Sequence, residues 1–157
     1  MKNNMNPKNL FDSPISNTKS SDLTIYRLTI NRTFKTPVGI RIDIKKNENN
    51  QKKIILSWTE GYKPGTDEQE NNKTLSEKEA QEIEKFIEKM DFWNLNRNED
   101  GLPGLDGSTC VFEVYDPSKK YHAIDRWSPW ARRKENEEYV ELITYLVNLA
   151  GISIRGS

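Results

Sequence analysis

Apolar and polar residues alternate most cleanly between Val38 and Lys45, where Val38, Ile40, Ile42 and Ile44 are separated by Gly39, Arg41, Asp43 and Lys45. A period of two turns one side of the chain to a core and the other to water, so this stretch predicts a half-buried β-strand. Tyr26, Leu28 and Ile30 repeat the pattern upstream around Arg27 and Thr29, and Ile54, Leu56 and Trp58 repeat it downstream. The Asn-rich segment Lys46–Gln51 predicts a hairpin turn. The three strands then make an antiparallel meander, because neighbouring strands joined by short polar turns pair locally.

The period changes at Ser76. This serine predicts a helix N-cap, with Glu79 three residues on completing a capping box. Ala80, Ile83, Phe86, Ile87 and Met90 follow at helical spacing as one apolar stripe, and the helix is expected to end near Asp91. Phe92-Trp93-Asn94-Leu95 forms an apolar corner after it. Glu60–Lys73 reads as a polar loop with a turn at Gly61–Gly65, and Glu99–Ser108 as a Gly/Asp-rich loop. Strands are predicted at Thr109–Tyr115 and Lys120–Trp127, joined by a type I turn at Asp116-Pro117-Ser118-Lys119. Ser128 and Pro129 suit an N-cap and first helical turn. The final helix carries Tyr139, Leu142, Ile143, Leu146, Val147 and Ala150, with Gly151 at its C-terminal cap.

The order βββ-α-ββ-α, without alternating βα units, predicts an α+β fold. It should hold an antiparallel sheet of about five strands with both helices packed on one face. Residues 1–22, rich in Asn, Ser, Lys and Pro, are expected to form a flexible arm, leaving 23–157 as a single domain.

Composition narrows the function classes. Lys plus Arg balances Asp plus Glu at 24 each, and the one basic cluster, Arg132-Arg133-Lys134, runs directly into Glu135, Glu137 and Glu138. A solvated helix face is expected there rather than a phosphate-binding stripe, so nucleic acid is not an expected partner. A single Cys and a single His exclude an intramolecular disulfide and a Cys-rich zinc site, and no metal or cofactor is expected. No apolar run reaches the roughly 18–20 residues of a membrane helix, so membrane insertion is not expected. The sequence as written shows no secretory leader, so the expected compartment is the cytoplasm, with export as the alternative.

Candidate chemistry concentrates between Gly101 and Pro129. Cys110 and His122 are the obvious nucleophile and base. With a two-residue hairpin turn, however, Cys110 would sit opposite Asp125 and His122 opposite Glu113, placing the two on opposite faces. Gly101–Gly107 lacks the residues of a phosphate-binding or dinucleotide loop, and its acids are not spaced as an EF-hand. In Asp125-Arg126-Trp127, Trp127 is expected as a core anchor. Arg126 is expected to bridge a carboxylate such as Glu113, or to serve as a fork for a partner's carboxylate.

With these segments laid out, the chain resembles a family of small, uncharacterised bacterial proteins. The resemblance rests on Tyr26-Arg27-x-Thr29 with Arg32-Thr33-Phe34, Gly61-Tyr62-x-Pro64-Gly65, Phe92-Trp93-x-Leu95, Gly104-Leu105-Asp106-Gly107 and Tyr121-His122-x-x-Asp125-Arg126-Trp127-Ser128-Pro129. It implies no activity and no catalytic residues.

The leading expectation is a non-catalytic module that binds a protein partner, in one version a toxin-neutralising or other inter-bacterial protein. Arg32, Tyr62 and Arg126 are its expected contact residues, of the types that dominate interface hot spots. The alternative is a small hydrolase using Asp106, His122 and Asp125. A structural cell-envelope protein is a third reading.

Overall fold

A computed structural model describes residues 9–32, 36–60, 71–98 and 107–153. They form an α+β fold around one six-stranded antiparallel sheet. The elements run α1 (Asn9–Asp12), β1 (Leu23–Arg32), β2 (Val38–Lys46), β3 (Lys52–Glu60), β4 (Asn71–Thr74), α2 (Glu77–Lys89), a 3-10 turn at Phe92–Asn94, β5 (Ser108–Asp116), β6 (Lys120–Trp127) and α3 (Glu137–Ala150). Across the sheet the order is β4-β3-β2-β1-β5-β6. The predicted meander and hairpin are both present, and they join where β1 pairs with β5.

The pairing puts even-numbered residues of β1, β2, β3, β5 and β6 on one face. Leu28 lies across from Ile40 and Phe112, Ile42 from Leu56, and Phe112 from Ile124. This face and the apolar stripes of α2 and α3, including Ile83, Ile87, Leu142, Ile143 and Leu146, form one core. The capping box of Ser76 and Glu79 starts α2, and Gly151, at φ 71°, closes α3 in the left-handed conformation that glycine adopts without cost. No helix among the described residues is long and apolar enough to cross a membrane.

Three expectations need correcting. The sheet has a sixth strand: β4, within the expected polar loop, pairs with β3 from Ile55 to Trp58. Its sequence Asn-Asn-Lys-Thr is exposed throughout, so it joins by backbone alone and carries no alternation to announce it. The last helix begins at Glu137 rather than after Ser128. Ser128 takes φ 38°, and its hydroxyl accepts the Ser108 backbone N–H at 3.0 Å, so it closes the β5–β6 end instead of capping a helix. Residues 129–136 form turns, and Arg132 pairs with Glu135 at 2.9 Å there.

The third correction concerns residues 9–22, expected as a flexible arm. They lie across the odd-numbered face of the sheet, burying Phe11 and Ile15. Phe11 packs where β2 has glycine; a Cβ at Gly39 would stand 2.6 Å from its Cδ1. The Leu10 and Ser13 carbonyls accept Arg27 Nη1 at 3.3 and 2.6 Å, and Tyr115 donates its hydroxyl to Ser20 O at 2.8 Å. Beneath the strap, Arg27 makes a two-pronged pair with Glu113 at 2.7 and 3.1 Å, both residues buried. Two apolar anchors and three accepting carbonyls hold a segment whose composition alone predicts disorder.

Candidate functional site

The β5–β6 hairpin sets the positions of Cys110, His122, Asp125 and Arg126. Its loop holds three residues, Pro117–Lys119, between the paired Asp116 and Lys120. That shifts the register by one from the expected two-residue turn. Cys110 faces Arg126, and His122 faces Val114, so Cys110 and His122 share the core side after all. They still form no dyad. Four residues of strand separate their positions, roughly 13 Å at the rise of a β-strand, and the Phe112–Ile124 pair lies between. Cys110 is fully buried, and burial pushes its thiol up to about 12.

His122 is held by main chain and by aromatic neighbours. Its Nε2 lies 2.8 Å from Leu95 O, and since a carbonyl only accepts, Nε2 carries the proton. The ring packs edge-on to Phe92, with centroids 5.0 Å apart, and parallel to Trp93 at 6.1 Å. Arg126 donates to Arg97 O at 3.0 Å, Asp125 O at 2.7 Å and Asn96 O at 3.1 Å, and does not reach Glu113, which Arg27 holds. Asp125 lies on the opposite face from His122. Its backbone N–H donates to Arg97 O at 2.7 Å, and its Oδ2 stands 3.6 Å from Arg97 Nε. Its Oδ1 is buried without a hydrogen bond among the described residues. Residues 95–98 thus run along the open side of β6 like a fragment of a further strand, with Asn98 bridging Asp125.

The other expected residues do not join them. Arg32 donates from Nε and Nη2 to Thr36 O at 3.1 and 2.8 Å, bracing its own hairpin. Tyr62 and Asp106 lie outside the described residues, as do the Gly61–Gly65 turn and most of the Gly/Asp-rich loop. Trp127 is half-buried beside Gly107, outside the main core, so its expected role as a core anchor is not met.

A different group of residues converges on a cavity of about 340 Å³ at the end of the sheet where β1 begins and β5 finishes. Tyr26, Phe92 and Trp93 are its aromatic walls; Glu84, Glu88, Asp91 and Asp116 bring four carboxylates, and Lys119 one ammonium. The local sequence explains the geometry. Glu84 and Glu88 are exposed one helical turn apart on α2. Asp91 takes the left-handed conformation at φ 54°, which Asp tolerates better than most side chains. The chain therefore turns sharply after α2, sending Phe92 into the core and leaving Trp93 half-buried at the rim.

Tyr26 is the unusual member. It is only 5% exposed and its ring stacks on Phe112 at 6.4 Å, yet its hydroxyl has no hydrogen bond among the described residues. Burial, reinforced by the charges of Glu84 and Asp116, holds the phenol well above its ordinary range. Across the cavity, burial pulls the Asp116 carboxyl upward. The Ser118 hydroxyl and the N–H groups of Ser118 and Lys119 outweigh that pull and lower it. Lys119 holds its ammonium 5.6 Å from the centre of the Trp93 ring.

Sequence reasoning placed Tyr26 in the core and read Phe92-Trp93 as a corner. One signal toward the site was legible. Like charges at i and i+4 disfavour a helix, so Glu84 and Glu88 add nothing to the stability of α2. No family model matches the chain, and a search of curated proteins finds no significant relative.

Proposed function

We propose that this protein is a non-catalytic module that binds a protein partner, and that the contact is centred on the acidic, aromatic-walled cavity. One observation carries the reading. His122 and Arg126 are spent on holding main chain, whereas the cavity is lined by the Tyr26 phenol and by the exposed residues Glu84 and Glu88, which make no hydrogen bond to the core among the described residues. A toxin-neutralising or other inter-bacterial role in the cytoplasm agrees with an acidic contact surface, because such a surface steers basic partners and rejects acidic ones.

The test compares affinity capture from source-cell lysate by the wild type and by the Glu84→Lys/Glu88→Lys variant. Both positions are exposed, so the variant should keep its fold, as circular dichroism will check. A protein retained by the wild type and lost by the variant is expected. Capture of nothing above background, or of the same proteins by both, overturns the proposal.

A further inference from the structure

The cavity is built for one kind of chemical group. Four carboxylates and a single ammonium leave it strongly negative. No three carboxylate, His or Cys side chains among the described residues stand close enough to hold a metal ion. The acids are spread around a space instead of collected about a point, which suits an extended organic cation better than a bare ion. The volume, about 340 Å³, lies at the small end of the roughly 300–1,000 Å³ typical of ligand pockets, large enough for one side chain. Tyr26, only 5% exposed as a residue, lines the cavity with a hydroxyl that has no hydrogen bond among the described residues and is free to meet a polar ligand atom.

We infer that the cavity receives the guanidinium of a partner's arginine, and that Lys119 occupies its aromatic wall until that arginine arrives. The inference rests on the binding-module reading above. A guanidinium is flat and carries five N–H donors in a fixed fork. It can stack on the Trp93 indole while its edge donates to Glu84, Glu88 or Asp116 and to the Tyr26 oxygen. Lys119 already shows that the Trp93 face attracts a cation. It sits in a short exposed loop on a flexible stem, so it leaves by side-chain rotation with no change in the sheet. Its ammonium is the internal competitor: removing it should strengthen binding by the same electrostatics that attract the ligand.

The experiment is an NMR titration of the intact protein, following the Trp93 indole N–H resonance, assigned with Trp93→Phe. Four probes are used: acetyl-Ala-Arg-Ala-amide, the same peptide with lysine, the same peptide with neutral citrulline, and free agmatine. The arginine peptide should shift the Trp93 resonance at low salt, with the lysine peptide several-fold weaker and the citrulline peptide at least tenfold weaker. Lys119→Met should tighten arginine binding by roughly threefold or more, and Tyr26→Phe should weaken it by roughly fivefold, the scale of one hydrogen bond. Equal binding of citrulline, or no Trp93 shift with any probe, overturns the inference. So does lysine binding as tightly as arginine, or unchanged affinity in Lys119→Met. Agmatine binding as tightly as the arginine peptide would assign the cavity to a small guanidine and overturn the partner's side chain as its source. These failures are separable from failure of the binding-module reading, which the capture experiment with Glu84→Lys/Glu88→Lys decides alone.

Discussion

The open side of β6 and the cavity at the end of α2 lie on either side of Trp93, and they use polar side chains in opposite ways. Along β6, His122 and Arg126 bond only backbone carbonyls, those of Leu95, Asn96, Arg97 and Asp125. They do what a further strand would do with N–H groups, fastening an irregular segment to the sheet edge. Around the cavity, the Tyr26 hydroxyl and the exposed carboxylates of Glu84 and Glu88 fasten nothing in the core. Residue type does not separate the two regions. A histidine and an arginine look more functional than a strand tyrosine and two helix glutamates. The difference lies in whether a side chain's hydrogen-bonding capacity is already consumed.

That contrast can be broken most forcefully at His122. His122→Ala removes a ring packed against Phe92 and Trp93 and leaves Leu95 O without its donor, so it should cost about 2–4 kcal/mol. Urea denaturation should show a lower midpoint at unchanged slope. Wild-type stability in this variant would erase the distinction between the two regions. Arg126→Ala should cost less, about 1–2 kcal/mol in the same assay, because its three carbonyl bonds sit at a half-exposed edge. It should leave the Trp93 indole resonance in place, since Arg126 does not line the cavity.

Tyr26→Phe sharpens the comparison from the other side. Its stability should fall within about 0.5 kcal/mol of wild type, since no hydrogen bond within the fold is lost. A larger loss would mean that the hydroxyl is structural, like the groups along β6. The smallest effect is expected from acid. Asp116 is held below the ordinary carboxylate value of 3.8, so it favours the fold above that pH and loses this contribution as pH falls through its folded value. Thermal melts should show Asp116→Asn destabilised at pH 6 and closer to wild type at pH 3.

Much of the fold was legible from periodicity because the core is regular. The alternation in β2, the capping box at Ser76 and the Asp116-Pro117 turn each carry a local signal tied to a local physical cause. The parts that were not legible depend on distant partners. β4 is four polar residues whose only reason to be extended is the exposed edge of β3. The β5–β6 register turns on Lys120 adopting φ 71°, a conformation that lysine does not advertise. The strap is held by Arg27 and Gly39, which precede no recognisable partner in sequence. The candidate site draws on β1, α2 and the β5–β6 loop, so no window of sequence contains it. The segment from Gly101 to Pro129, where chemistry seemed most concentrated, was conspicuous because it holds the rare residues, and rarity is not availability.

The seam between β1 and β5 also has a kinetic meaning. Strands β1 to β3 pair with close neighbours in sequence, as do β5 and β6, but Ile25 meets Tyr115 and Arg32 meets Ser108 only across about half of the chain. Each hairpin unit can form by itself, while joining them demands closure of a long loop before any contact repays it. Assembly speed should therefore be limited at this one line. The strap, which crosses it to reach both Ile25 and Tyr115 through Ile15, can settle only after the seam has closed. The last segment to lock in place is then synthesised before either strand of the seam it waits for.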